Sequence, residues 1–216
     1  MRVVSIVGMK GGSGKSTAGI HLAVCAEQAG LSAAIIDTDP QGSAYKWFER
    51  RESETPSVIR EPDPDALQRL ISIAGKNGTD LVIVDTAGKA ETVALAACEV
   101  ADLILVPIRP TQFDLETLGT VKRMARIAEK LDRTWVVISQ MPASSTRPVA
   151  QAVEGIAAYG LHLSPVRLKT RLDFSDAMAS GLTANEQAPA GKAANEARDL
   201  FKWVSEIVDF STSGNV

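Results

Sequence analysis

Apolar residues in this chain fall into short unbroken runs, separated by longer stretches in which they recur every three or four positions. The runs Val3–Gly8, Ala33–Ile36, Leu81–Val84, Leu103–Val106 and Trp135–Ile138 have no polar alternation, so they are predicted to be strands buried on both faces. Ser16–Ala29 has helical spacing through Ile20, Leu22, Ala23 and Ala26, and Gly30 ends it. Asp63 and Pro64 read as the N-cap and first-turn proline of a helix carried by Leu67, Leu70 and Ile71. Leu115–Leu131, Val149–Tyr159 and Ala193–Val208 are predicted as further helices. Doubly buried strands alternating with helices imply an α/β fold, with a mostly parallel, twisted sheet covered by helices on both faces. One domain is expected over residues 1–210, with the polar Ser211–Val216 as a frayed tail. Ligands of such sheets sit beyond the carboxyl ends of the strands. The polar residues that interrupt the pattern collect there: the loop after the first strand, Asp37 and Asp39, Asp85, and Gln140.

Composition changes this picture little. The 216 residues suit one well-buried domain. Net charge is −3, so a nucleic-acid contact would need a local patch rather than a basic molecule. Cys25 and Cys98 lie in apolar helical patterns without metal-ligand spacing and read as core residues. His21 and His162 have no partner spacing and read as structural or surface residues. No apolar run is long enough to span a bilayer, and the first residues lack a signal-peptide layout, so a cytoplasmic protein is expected.

The strongest chemical signal is Lys10-Gly11-Gly12-Ser13-Gly14-Lys15-Ser16-Thr17, set between a predicted strand and a predicted helix. Glycines allow successive backbone N–H groups to turn toward phosphate oxygens, and the helix adds its positive end. Lys15 can reach the β- and γ-phosphates, and the Ser16 hydroxyl can ligate Mg²⁺. Such a phosphate-binding loop makes the fold a P-loop NTPase with ATP and Mg²⁺ as its expected cofactors. Asp37-Thr38-Asp39-Pro40-Gln41-Gly42 follows the second strand. Its two carboxylates could hold Mg²⁺ or orient a water, although Asp-Pro-Gln-Gly also suits a plain turn. Asp80–Gly88 is an apolar strand ending in Asp85, the layout of a Walker B segment whose aspartate binds Mg²⁺ directly or through water. Gly88 permits close backbone approach near the γ-phosphate.

The loop departs from the common pattern. The usual first glycine is Met9, and a second lysine, Lys10, opens the loop instead. This resembles the deviant Walker A motif of the ParA/MinD ATPases. The resemblance implies that Lys10 reaches across an ATP-bridged homodimer to the partner's nucleotide, and that Asp39, before proline, positions the attacking water. Pro107 and the segment running to Phe113-Asp114 resemble the family's proline-rich stretch near the adenine. Gln140 stands where the family often uses asparagine to read that base.

Ala188–Trp203, together with the lack of an N-terminal DNA-binding extension, resembles the small plasmid-partition (ParF-like) subclass. That likeness implies nonspecific DNA binding, nucleoid association and a ParB-type centromere-binding partner. Arg167, Lys169 and Arg171 are then the expected DNA contacts, with Lys122, Arg123, Arg126, Lys130 and Arg133 as a basic helix face. A solvated face is the plain alternative for either charge run. A MinD-like or cargo-positioning ATPase is the alternative function. Leu200, Trp203, Val204, Ile207 and Val208 form an apolar stripe on the last helix. Its acidic residues Glu196, Asp199, Glu206 and Asp209 argue for packing on the domain rather than on a membrane.

Overall fold

The computed structural model describes residues 1–88, 90–142 and 147–210; the tail expected at Ser211–Val216 lies outside them. Strand β1 (Arg2–Ile6) leads through the glycine loop into α1 (Lys15–Gln28), and β2 (Ala33–Asp37) leads into α2 (Ser43–Phe48). Then come β3 (Ser57–Arg60), a 3₁₀ turn at Pro64–Ala66, α3 (Leu67–Lys76), β4 (Leu81–Asp85) and α4 (Glu91–Val100). Next are β5 (Leu103–Ile108), α5 (Gln112–Leu115), α6 (Leu118–Ile127), β6 (Thr134–Ile138), α7 (Arg147–Ala158) and β7 (His162–Leu163). The chain closes with α8 (Leu172–Ala179), α9 (Ala184–Gln187) and α10 (Lys192–Ile207).

The strands form one parallel sheet in the order β3-β2-β4-β1-β5-β6-β7. β1 is central, with β4 on one side and β5 on the other. The loop that follows it therefore opens at the point where the strand order reverses, where sheets of this type leave a crevice. Two apolar cores flank the sheet. One joins Ile6, Ile35 and Ile83 to α1 and α10, through residues such as Leu22, Leu200 and Val204. The other joins Val7, Val84 and Val106 to α4, α6 and α7. Gly19 lets α1 lie close on the sheet, since a Cβ there would sit 3.0 Å from Ile83.

The five expected strands are all present, and two more occupy the edges. β3 buries only Val58, and β7 has two residues; neither carries an apolar run. The expected helix 115–131 is shortened to α6, and the unpredicted α5 precedes it. Thr111 caps α5 by accepting the Asp114 N–H, and α6 stops before Glu129, whose φ of 57° lies in the left-handed region. The helices α2, α4, α8 and α9 were not among the predicted elements. Asp63 does cap its turn as expected, accepting the N–H of Asp65.

Both cysteines are buried, and burial pushes each thiol up to about 12. They are inert core groups. His21 is structural: its Nδ1–H donates to the Thr17 carbonyl and its Nε2 accepts the Ala184 N–H. Burial lowers its pKa to about 4, so it stays neutral. The basic face expected on the 115–131 helix is broken up. Lys122 donates to the Tyr159 carbonyl and Arg123 pairs with Glu91 at 2.7 Å. Lys130 and Arg133 lie beyond the end of α6.

Candidate functional site

The loop after β1 wraps a cleft because Gly12 and Gly14 take φ values of 72° and 89°, where a side chain would be strained. Gly14 then serves as N-cap of α1, aiming that helix's free N–H groups at the same space. Lys15, Ser16 and Thr17 line this cleft with Gly11, Asp39 and Gly88. Gly88 does allow a close backbone approach, but to the loop itself: a Cβ there would stand 2.8 Å from the Gly11 nitrogen. Lys15 donates from Nζ to the Lys10 carbonyl at 2.9 Å. Burial lowers its pKa, and Asp85, Asp39 and Asp114 partly offset that effect.

The two carboxylates of the Asp37–Gly42 segment have different tasks. Asp37 is fully buried and accepts three backbone N–H groups, from Asp39, Ala44 and Tyr45, at 2.9–3.0 Å. It is the pin that folds the segment back onto α2, with three of the roughly four acceptor sites of its carboxylate taken by amides. Thr38 ties the same segment to β4 by donating to the Asp85 carbonyl at 2.8 Å. Arg60 holds its far side through the Pro40 carbonyl. Asp39 is only half-buried and faces the phosphate cleft, with one oxygen accepting the Gln41 N–H.

Asp85 ends β4 in register with Asp37 on β2 and Ile6 on β1. Neither of its oxygens has a hydrogen-bond partner. Burial raises its pKa to about 7; the neighbouring Ser16 hydroxyl offsets this in part, while Asp37 adds to it. An orphaned carboxylate beside a serine hydroxyl at a glycine cradle fits Mg²⁺ held jointly with nucleotide phosphates. Among the described residues there is no cluster of three or more His, Cys, Asp or Glu side chains able to hold a metal alone.

Above neutrality, a pKa of about 7 in place of 3.8 makes the buried Asp85 ion cost on the order of 4 kcal/mol. The raised value means the folded protein holds the proton more tightly than the unfolded chain. Stability is therefore greatest below pH 4 with respect to this group, and falls as pH rises toward 7. Asp85→Asn is expected to raise the melting temperature of the nucleotide- and Mg-free protein by several degrees at pH 8 and to leave it nearly unchanged at pH 4. Thermal melts at the two pH values check this, and an equal shift at both would refute it.

Lys10 lies beside this cleft rather than in it. Its ammonium sits 3.2 Å from Asp114 and 5.0 Å from the centre of the Phe113 ring. Asp114 is almost fully buried and also binds the Arg109 backbone and guanidinium, all at 3.0 Å. Although burial raises its pKa, these donors hold its carboxyl down at about 2. Phe113 and Asp114, expected near the adenine, thus stand at Lys10. Pro107 is buried within β5, paired with Val137. Its carbonyl lies under Gly8, and Pro107 does not line the phosphate cleft.

Gln140 lines both the phosphate cleft and an adjoining cleft bounded by Gly14, Thr17, Thr170 and Leu172. It has a φ of 48° and donates from Nε2 to the Gly12 carbonyl at 2.6 Å. Ser139, which no motif marked, ties β6 to the loop through the Ser13 carbonyl. Of the expected DNA contacts, Arg167 is exposed, Lys169 is half-buried, and Arg171 pairs with Glu196 at 2.6 Å. Within residues 165–172 there is no acid, but the fold supplies one from α10.

A family model described as the CobQ/CobB/MinD/ParA nucleotide binding domain matches residues 4–184. Maintenance of carboxysome distribution protein A of Gloeobacter kilaueensis is 30% identical over 211 residues, covering 96% of this chain and 94% of that protein. The chromosome-partitioning ATPase Soj of Thermus thermophilus is 23% identical, covering 94% and 95%. Among solved structures, a Cyanothece McdA variant in complex with ATP superposes with a TM-score of 0.75 at 16% identity, covering 100% and 99%. A ParA family ATPase from Chlorobium tepidum gives 0.74 at 18% identity, covering 93% and 98%.

Proposed function

This chain belongs to the CobQ/CobB/MinD/ParA nucleotide-binding family, and from that premise we propose that it is a Mg-dependent ATPase working as an ATP-switched dimer that positions DNA or another cargo. The observation that carries the dimer is Lys10. The phosphate cleft already has Lys15, and a second lysine turned into it would crowd like charges. Lys10 instead points out of its own cleft toward Asp114 and Phe113. From there it can be offered across a two-fold axis, so that each subunit completes the other's site. It then acts as a reciprocal arginine finger does, placing positive charge where negative charge develops in transfer of the γ-phosphoryl group to water. Ser16 and Asp85 would hold Mg²⁺, which would supply positive charge to offset that of the phosphates. Lys15 and the loop amides hold the phosphates, and Asp39 orients the water.

Lys10→Ala is expected to bind ATP but to dimerise poorly and lose roughly a hundredfold in kcat. Mixing it with Asp39→Ala protein tests the geometry in trans. In a mixed dimer, the site that keeps Asp39 receives Lys10 from the Asp39→Ala partner, so activity should return on mixing. Mixed dimers that form but stay inactive, or normal hydrolysis by Lys10→Ala alone, would reject a role in trans.

The reading as a DNA-partition protein with a ParB-type partner rests on relatives named IncC, ParA and Soj. Positioning of a protein cargo through an adaptor is favoured by the carboxysome-distribution relative, which aligns over almost its whole length. The partition reading carries with it an ATP-dependent hold on nonspecific DNA. The exposure of Arg167 and the half-buried Lys169 support that reading, while Arg171 is largely engaged by Glu196. Changing Arg167 and Lys169 together to Ala is expected to reduce the slope of log affinity against log salt by about two, and adding Arg171→Ala by less than one more. Filter binding over a salt series measures this, and an unchanged slope in the double variant would discard the patch. A MinD-like membrane role is disfavoured, since Leu200, Trp203, Val204 and Val208 are buried against the domain. No helix among the described residues is long and apolar enough to cross a membrane.

A further inference from the structure

Glu196 lies on α10, far in sequence from the phosphate loop, yet its carboxylate is engaged by the segment that walls the cleft beside Gln140. One oxygen accepts the Lys169 backbone N–H at 2.9 Å. The other accepts Arg171 Nε at 2.9 Å and Nη2 at 2.6 Å. The Glu196 and Arg171 side chains are only 15% and 19% exposed, so water competes weakly for either. Glu196 cannot follow the segment if the segment moves. Its helix is anchored by Ala193, Ala197 and Leu200, which are buried in the core shared with α1.

The inner side of the segment Leu168–Leu172 is fixed at its start, where Leu168 is buried in the core. It meets β6 and the residues after it through three backbone bonds, Leu168 N–H to the Ile138 carbonyl at 2.9 Å, and Met141 N–H to the Leu168 carbonyl and Thr170 N–H to the Met141 carbonyl at 3.0 Å. Those bonds fix its inner side. On its outer side Glu196 fixes both the chain at Lys169 and the side chain at Arg171. Beyond Thr170 the inner bonds stop, and there the charge-assisted bonds of Glu196, each roughly twice as strong as a neutral one, hold the chain through the Arg171 side chain. Lys169, Thr170, Arg171 and Leu172 make up one wall of the cleft, facing Gly14, Thr17 and Gln140. That cleft joins the phosphate cleft at Gly14, Thr17 and Gln140, so a nucleotide with its phosphates on the loop places its base there.

We propose that Glu196 is a positioning residue for the nucleotide base: it holds Lys169–Leu172 as a preformed wall, so that the last helix sets affinity and base preference without touching the nucleotide. This rests on the reading of the cleft between Gln140 and Leu172 as the base end of an ATP site. A wall held in advance spares the ligand the cost of ordering it. Loss of Glu196 should therefore affect ligands that carry a base and spare those that carry only phosphates.

The test is calorimetry of wild type, Glu196→Gln and Glu196→Ala with ATP, GTP and inorganic triphosphate, together with steady-state ATPase rates. For Glu196→Ala, ATP affinity is expected to fall about tenfold and the preference for ATP over GTP to shrink toward one. Its affinity for inorganic triphosphate and its kcat at saturating ATP should stay within about twofold of wild type. Glu196→Gln, which keeps an acceptor but not the charge, should fall between. If the variants keep the wild-type ATP-to-GTP ratio, Glu196 does not position the base. If triphosphate affinity falls in step with ATP affinity, the loss is general damage and the proposal fails. If wild type binds ATP, GTP and triphosphate equally well, the base-site reading itself is wrong, and the role of Glu196 falls with it.

Discussion

Lys15→Ala is expected to lower ATP affinity by roughly two to three orders of magnitude while leaving the fold intact. The loop amides and the start of α1 offer only partial charges, equivalent to about half an elementary charge at the helix end. Lys15 adds the only full positive charge lining the phosphate cleft among the described residues, since Lys10 is turned toward Asp114. Its ammonium is 2.9 Å from the Lys10 carbonyl, already inside the curve of the loop, and the residue is 7% exposed. Hydrogen bonds to charged groups contribute about 1.5–3 kcal/mol each. Losing those to the β- and γ-phosphates removes roughly 3–4 kcal/mol, or two to three powers of ten in Kd. Burial already disfavours the Lys15 cation in the free protein, so its removal should not lower the melting temperature much. Titration calorimetry decides the matter. An ATP Kd within tenfold of wild type would show that the backbone alone carries the phosphates.

Asp39→Ala is expected to retain ATP affinity within a few-fold and to lose about 10²–10⁴ in kcat. Asp39 is the only carboxylate lining the phosphate cleft among the described residues. Its segment is also rigid. Asp37 holds the Asp39 N–H at 3.0 Å and the start of α2 at 2.9 and 3.0 Å, while Thr38 is bonded to β4. A carboxylate carried on so fixed a loop can hold a water in line with the γ-phosphate, which is where positioning contributes to phosphoryl transfer. The substitution removes no phosphate ligand, so binding should survive and the ATP-bound form should accumulate. Single-turnover hydrolysis beside equilibrium binding separates the two quantities. Wild-type turnover by the variant would move the water to the loop backbone. Weakened binding in step with turnover would instead give Asp39 a ground-state role.

The residue pattern was most informative where the physics is local. Five apolar runs became the five inner strands because a strand buried on both faces must be apolar at every position. Gly12, Gly14, Lys15 and Ser16 formed the expected cradle because left-handed backbone at glycine and a helix start are decided within a few residues. Asp85 was expected as a cation ligand from its place at the end of a strand, and it is found there with both oxygens unpartnered. The edge strands β3 and β7 escaped notice because an edge need bury little, and two or four residues carry no period.

Sequence by itself thus determined the sheet interior, the phosphate loop and the order of the chemical groups along the chain. These depend on spacing, backbone freedom and which residues tolerate burial. Tertiary structure alone decided which charges meet. Asp37 and Asp39 are two residues apart and look equivalent in the chain, yet one is bonded to three amides and the other faces the cleft. Lys10 is held by Asp114, more than a hundred residues away, and Arg171 by Glu196 on another element. Electrostatic pairing acts over a few ångströms of space and is blind to chain separation. Only the folded sheet, by stacking β1 beside β5 and α10 beside the segment after β7, fixes who is within reach.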